Sequence, residues 1–148
     1  MIRIEKYDHT QTLAPQNFHE ILTFLHKHLD EFGDPQQQIK LAMEYAMQMN
    51  GKPGGFILAA YVGDEIAGAV ILNKTGMNGY IPDNILVYIA THKQYRGKGI
   101  GKQLMQHAIA KSDGDIALHV EPENPAKRLY ESLGFTNKYL EMRLQKNK

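Results

Sequence analysis

A chain of 148 residues, 43% hydrophobic and 22% charged, has the size and composition of one ordinary globular domain, spanning residues 1–148 with room for a sizeable core. Its formal net charge of +1 supplies no global field for nucleic acid or an anionic membrane, so any anion site must be local. The absence of cysteine excludes disulfides, thiolate metal sites and a cysteine acyl intermediate.

Ile2 and Ile4 alternate with Arg3 and Glu5, which predicts a first strand with one buried face. This stretch has no signal-peptide core. No apolar run reaches the roughly 20 residues that span a bilayer, and the expectation is a soluble, cytoplasmic protein. Phe18, Ile21, Leu22, Leu25 and Leu29 recur at helical spacing and predict an amphipathic helix ending near Phe32 and Gly33. His26 and His28, two residues apart, point to different sides of such a helix and read as part of a solvated face rather than metal ligands. Asp34 as N-cap, Pro35 at the first helical position and Gln37 three residues after the cap predict a second helix, stopping at Asn50 and Gly51. Its Met43 and Met47, with Met49, read as core and groove filling.

Phe56 to Val62 and Ile66 to Asn73 flank the turn Gly63-Asp64-Glu65 and predict an antiparallel hairpin. Lys74 to Asn84, with two glycines and a proline, reads as a loop, with a strand extension through Tyr80 as the alternative. Ile85 to Ala90 is nearly all apolar, as in a strand covered on both faces. A helix from Ile100 to Ser112 and a strand from Ile116 to Val120 complete a βαβ unit with parallel strands. Pro125 to Leu133 predicts a short helix closed by Gly134, Tyr139 to Leu144 a last strand, and Lys146-Asn147-Lys148 a frayed tail.

The segment Gln94-Tyr95-Arg96-Gly97-Lys98-Gly99-Ile100-Gly101-Lys102 stands between a strand and a helix, where unpaired backbone amides converge on an anion. Alternate glycines allow close approach, and Arg96, Lys98 and Lys102 add charge. A Walker A loop would need Ser or Thr after Gly101-Lys102, where this chain has Gln103. A dinucleotide fingerprint would need Gly-x-Gly-x-x-Gly directly after the strand, and the glycines here are at 97, 99 and 101.

Gln94-x-x-Gly97-x-Gly99, in this context, resembles the acyl-CoA-binding motif of the GCN5-related N-acetyltransferase (GNAT) superfamily. Asn124-Pro125-Ala126-Lys127-Arg128-Leu129-Tyr130-Glu131-Ser132-Leu133-Gly134-Phe135 resembles that family's second signature, and the order of elements follows its plan over residues 1–144. The resemblance implies an α/β fold with a mixed, mostly antiparallel sheet flanked by helices, its central parallel strand pair splayed into a V. It implies an acetyl-CoA-dependent N-acetyltransferase that moves an acetyl group to a primary amine by direct attack in a ternary complex. Acetyl-CoA is then the cosubstrate and an amine the acceptor, without metal, nucleic acid or membrane, and a homodimer is an assembly common among such proteins. The alternative is a non-catalytic acyl-CoA-binding or sensing module.

The resemblance further implies that amides from Arg96, Gly97, Lys98, Gly99, Ile100, Gly101 and Lys102 wrap the pyrophosphate. Ile89, Ala90 and Thr91 would pair with the pantetheine arm, the Ile89 N–H stabilising the oxyanion. Tyr130 corresponds to the tyrosine that donates to the leaving sulfur, and Asn124 to a contact of the pantetheine arm, although it also reads as a helix N-cap. The proton acceptor is left open among Glu121, His119, Asp83 and water.

Overall fold

The computed structural model describes residues 2–147, so Met1 and the last residue of the expected frayed tail, Lys148, lie outside it. The chain forms two compact units that divide between Leu118 and His119. The first unit runs β1 (Ile2–Tyr7), α1 (Pro15–His28), α2 (Gln36–Ala46), β2 (Gly55–Val62), β3 (Glu65–Lys74), β4 (Asn84–Thr91), α3 (Ile100–Lys111) and β5 (Ile116–Leu118). The second contains α4 (Ala126–Ser132). No helix of the described residues is long and apolar enough to cross a membrane.

The five strands lie in sequence order, antiparallel from β1 to β4 and parallel between β4 and β5. This is the expected mixed sheet, with its parallel pair at one edge rather than in the centre. Side chains alternate across the strands and so create two apolar faces. Ile57, Ala59, Ala69 and Ile71 face α1 and α2, where Ile21, Leu25, Ile39 and Met43 are buried with them. The opposite face is covered by α3. A Cβ on Gly68 would lie 2.8 Å from Leu104 Cδ1, so glycine is what lets this helix approach the middle of the sheet.

Several local expectations are corrected by longer-range contacts. Asp34 does not cap α2; Pro35 occupies the cap position without a side-chain bond, and the Asp34 carboxylate instead accepts a hydrogen bond from the Tyr88 hydroxyl. The helix ends at Ala46 rather than at Asn50, because Gln48 adopts a left-handed φ of 62° that stops the ladder. His28 is buried while His26 is exposed, so the solvated face read for both holds only for His26. His28 follows Ile21 and Leu25 on the core side of α1, at the seven- and three-residue spacing that repeats one helix face.

β4 is not covered throughout: Asn84, Leu86 and Ala90 are buried, but Ile85, Val87, Tyr88 and Ile89 are only partly so. Its parallel partner is short, pairing only Asn84, Ile85 and Leu86 with Ile116, Ala117 and Leu118, and β5 ends there rather than at Val120. The final strand expected at Tyr139 to Leu144 is absent. These residues carry no ladder, and Tyr139, Leu140, Met142 and Leu144 are exposed. Alternating apolar residues favour an extended chain, but a strand exists only where a neighbour completes its hydrogen bonds.

Candidate functional site

The splayed end of β4 is built by a bulge. Ile71 pairs with Tyr88 and Leu72 with Leu86, which leaves Val87 as the extra residue. The inserted residue reverses which backbone groups face each side of the strand. Beyond it, Ala69 pairs with Ala90, and the His92 N–H donates to Ala67 O at 2.8 Å. In an antiparallel ladder the residues between such bonded pairs turn their N–H and C=O groups outward. The backbone groups of Ile89 and Thr91 therefore face the edge that β5 leaves after Leu86. Of the three residues expected to line the pantetheine arm, Ile89 and Thr91 present main-chain groups to that edge, while Ala90 is committed to β3.

After β4 the chain makes a short 3-10 turn, Lys93–Tyr95, then Arg96 is extended. Gly97 and Gly99 have φ of 80° and 81°, and a Cβ at either would meet nothing within 4 Å. Glycine is needed at these two positions for backbone conformation rather than for space. Gly99 forms the N-cap of α3, and the helical ladder starts with the Gln103 N–H bonding Gly99 O at 3.0 Å. Among the described residues, the amides from Arg96 to Lys102 have no hydrogen-bond acceptor. A run of unpaired N–H groups at the positive end of a helix is an anion site ready for a phosphate.

The expected basic residues divide by role. Arg96 remains exposed, but its guanidinium is tied to the protein: its Nη2 donates to His28 O at 2.9 Å and lies 3.4 Å from Asp30 Oδ2, while Nε donates to Thr91 O at 3.2 Å. Its main-chain amide remains available, but its guanidinium moors the loop to the end of α1. Lys98 Nζ sits 5.8 Å from the centre of the Tyr95 ring, within cation–π range. Lys102 forms no ion pair among the described residues.

Sequence reading missed the rest of this mooring. The buried His28 ring lies 4.3 Å from His92 and 4.6 Å from Phe24, and its Nδ1 accepts the Lys93 N–H at 3.4 Å. Burial, followed by the charges of His92, Lys27, Arg96 and Lys93, pushes the His28 pKa down to about 4. It is thus a neutral acceptor at pH 7. His92 Nδ1 accepts the Gln94 N–H at 3.1 Å. Lys93 pairs with Asp30 at 2.9 Å, and that hydrogen bond, aided by Arg96, holds the Asp30 carboxyl below the usual carboxylate range. On the other side, the Tyr95 hydroxyl donates to Glu65 at 2.7 Å. The helical spacing from Ile21 to His28 was the one local signal of this arrangement.

Asp83 is not brought to this site. It precedes Asn84 at the opposite end of β4, beside Gly114, where a cleft of about 430 Å³ is also lined by Lys74, Lys111 and Asp113. Placing it six residues from Ile89 along an extended chain separates the two by about 20 Å. That distance removes Asp83 from the proton-acceptor candidates.

In the second unit, Asn124 Oδ1 accepts the Ala126 N–H at 2.9 Å, and Asn124 O accepts the Lys127 N–H at 3.1 Å. The side chain therefore starts α4, the capping role open to it from sequence. Glu121 O accepts the Asn124 N–H at 3.0 Å, while the side chains of Glu121 and His119 belong to exposed residues. Tyr130 is buried, its ring 5.9 Å from Phe135 in an edge-on arrangement. Burial pushes its pKa up to about 12. The hydroxyl has no hydrogen-bond partner among the described residues and is not sealed from solvent.

The family model described as an acetyltransferase (GNAT) domain matches residues 53–137. Among solved structures, the chain is similar to a GNAT-family acetyltransferase from Streptococcus pneumoniae, with 20% identity, a TM-score of 0.70 and 100% of both chains covered. A ribosomal-protein-alanine N-acetyltransferase from Brucella melitensis biovar Abortus also has a TM-score of 0.70, at 19% identity, covering 98% of this chain and 99% of that one. An aminoglycoside N-acetyltransferase solved with CoA reaches 0.70 at 17% identity, covering 100% and 96%. At these identities the likeness is one of fold. No curated protein sequence is a significant match.

Proposed function

Because this chain belongs to the GNAT acetyltransferase family, we propose that it transfers an acetyl group from acetyl-CoA to a primary amine by direct attack within a ternary complex. The observation that carries this reading is the unpaired amide run from Arg96 to Lys102, continuous with the open edge of β4 at Ile89 and Thr91. The amides meet the pyrophosphate, with Lys98 and Lys102 adding charge and Arg96 fixing the loop through its side chain. Ile89 offers its main-chain N–H and C=O to an amide-bearing pantetheine arm and Thr91 its N–H, the Thr91 carbonyl being held by Arg96. The Ile89 N–H polarises the thioester carbonyl and stabilises the oxyanion as the amine attacks.

Tyr130 serves the leaving sulfur. With a pKa of about 12 it keeps its proton at pH 7. A thiol of ordinary pKa, about 8.5, is more acidic than this phenol, so Tyr130 stabilises the departing thiolate by a hydrogen bond more than by complete proton transfer. The attacking amine, with an ammonium pKa near 10.4, must first lose a proton. Glu121, an exposed carboxylate, is the proposed route for that proton to solvent. Asn124 keeps its amide N–H groups for the pantetheine arm while its oxygen caps α4.

Calorimetry with acetyl-CoA and with NAD(H), followed by thiol release over an amine panel read by mass spectrometry, tests the proposal. Acetyl-CoA binding with thiol release and a mass gain on one amine is the expected result. Binding of NAD(H) without acetyl-CoA would overturn it, and acetyl-CoA binding without transfer to any amine would point to a sensing module.

A further inference from the structure

Two aspartates follow α1 and meet opposite fates. Asp30 is spent on Lys93 and Arg96, in the mooring of the anion loop. Asp34 has no cationic partner among the described residues, and it is exposed. Nor does it cap α2, the task its sequence position suggests. Its carboxylate is held by the hydroxyl of Tyr88, the residue immediately before Ile89 on β4. Tyr88 packs on the α1 and α2 side of the sheet, one residue before the Ile89 to which the acetyl-transfer reading assigns the oxyanion.

One tyrosine hydrogen bond leaves most of a carboxylate's acceptor sites unfilled. Burial, together with the bond to Asp34, raises the Tyr88 pKa, so the hydroxyl keeps its proton and remains the donor of this hydrogen bond. The carboxylate stands a full tyrosine side chain away from β4. It is therefore too far from the Ile89 N–H to meet the nitrogen under acylation, and is suited to a charge several bonds further along the acceptor.

We infer that Asp34, positioned by Tyr88, binds a second, non-reacting cationic group of the acceptor, which makes the substrate class a diamine or a larger polycationic amine. This rests on the acetyl-transfer reading above. Asp34 is then a specificity residue that touches the acceptor, and Tyr88 a positioning residue that acts through it. The transfer itself is unchanged: the amine nitrogen bonds to the acetyl carbon, the thioester bond breaks, and the amine proton leaves to solvent.

Two conjugates test it whatever the natural acceptor is. In each, the sulfur of coenzyme A is joined through a carbonylmethyl link to putrescine or to butylamine, so that they differ only in the terminal ammonium. Calorimetry is expected to give the putrescine conjugate a roughly fivefold tighter Kd, the scale of one solvent-exposed ion pair. Asp34→Asn should remove that advantage without altering the Kd of the butylamine conjugate; Asp34→Glu should restore part of it, and Tyr88→Phe should reduce it. A structural role alone would weaken both conjugates together. Equal Kd values in the unmodified protein, or an undiminished advantage in Asp34→Asn, would overturn the inference and leave acetyl transfer standing. If neither conjugate binds, the acetyl-transfer reading fails and the inference with it.

Discussion

Tyr130 has a buried ring and a hydroxyl that reaches solvent with no hydrogen-bond partner among the described residues. A buried tyrosine usually satisfies its O–H. The unspent donor is what a hydrogen bond to a leaving thiolate requires. Tyr130→Phe should lower turnover by about 10²-fold while leaving the acetyl-CoA Kd near its original value, measured by thiol release and calorimetry. Unchanged turnover would remove Tyr130 from the leaving-group role. His28 makes a different prediction. Its folded pKa of about 4 lies below the ordinary 6.5, so between those values the unfolded chain binds the proton first. Its contribution to stability is complete above pH 6.5 and declines toward pH 4, by roughly 3 kcal/mol. Urea unfolding at pH 7 and pH 4.5 should show this loss, and His28→Gln should flatten it. Asp8 does not confuse this window. Burial opposes its ionisation, but hydrogen bonds from Thr10 and Gln11 outweigh that and bring its pKa to about 2, so its loss comes at lower pH. The short helix that carries Tyr130 was legible because Pro125 opens it and Gly134 closes it within one short signature. Asp34 was misread because its partner, Tyr88, is 54 residues away and offers a hydrogen bond that local capping rules do not include.

The loop from Tyr95 to Lys102 shows how an element divides its charges between the fold and solvent. Its glycines were legible from spacing alone, since a left-handed backbone at Gly97 and Gly99 demands that residue type. The use of Arg96 was not, because composition gives a charge without a direction. The structure turns this guanidinium onto His28 O, Thr91 O and Asp30, and leaves Lys98 and Lys102 facing solvent. Two substitutions should therefore separate. Arg96→Ala should lower stability by about 1 kcal/mol, through the lost carbonyl contacts, and weaken acetyl-CoA binding by loosening the loop. Lys98→Ala should weaken acetyl-CoA binding with less than about 0.5 kcal/mol effect on stability. Thermal melts of the free protein, paired with calorimetry, would distinguish the two; equal loss of stability would show that Lys98 is also structural.

At the scale of the whole chain, helices and the central hairpin could be read from sequence because each carries its own period and its own stop. The edge of the sheet could not. Tyr139 to Leu144 has the alternation of a strand, but pairing depends on a neighbour that no local pattern specifies, and the segment stays unladdered and exposed. The same limitation hid the bulge at Val87, which is visible only in the register between β3 and β4. That register opens the edge on which the proposed cosubstrate would lie, so binding should feed back on the stability of the fold. A ligand that binds only the folded chain stabilises it in proportion to the logarithm of its concentration over Kd. Acetyl-CoA at 100 times its Kd should contribute about 2.7 kcal/mol and raise Tm by roughly 5–10 °C for a chain of this length. NAD(H) at the same concentration should leave Tm where it was, because its phosphates could meet the amides but its nicotinamide riboside cannot reproduce the amide pairing of a pantetheine arm along Ile89 and Thr91. An equal shift with both ligands would mean that the loop alone does the binding, and would detach the β4 edge from the proposed site.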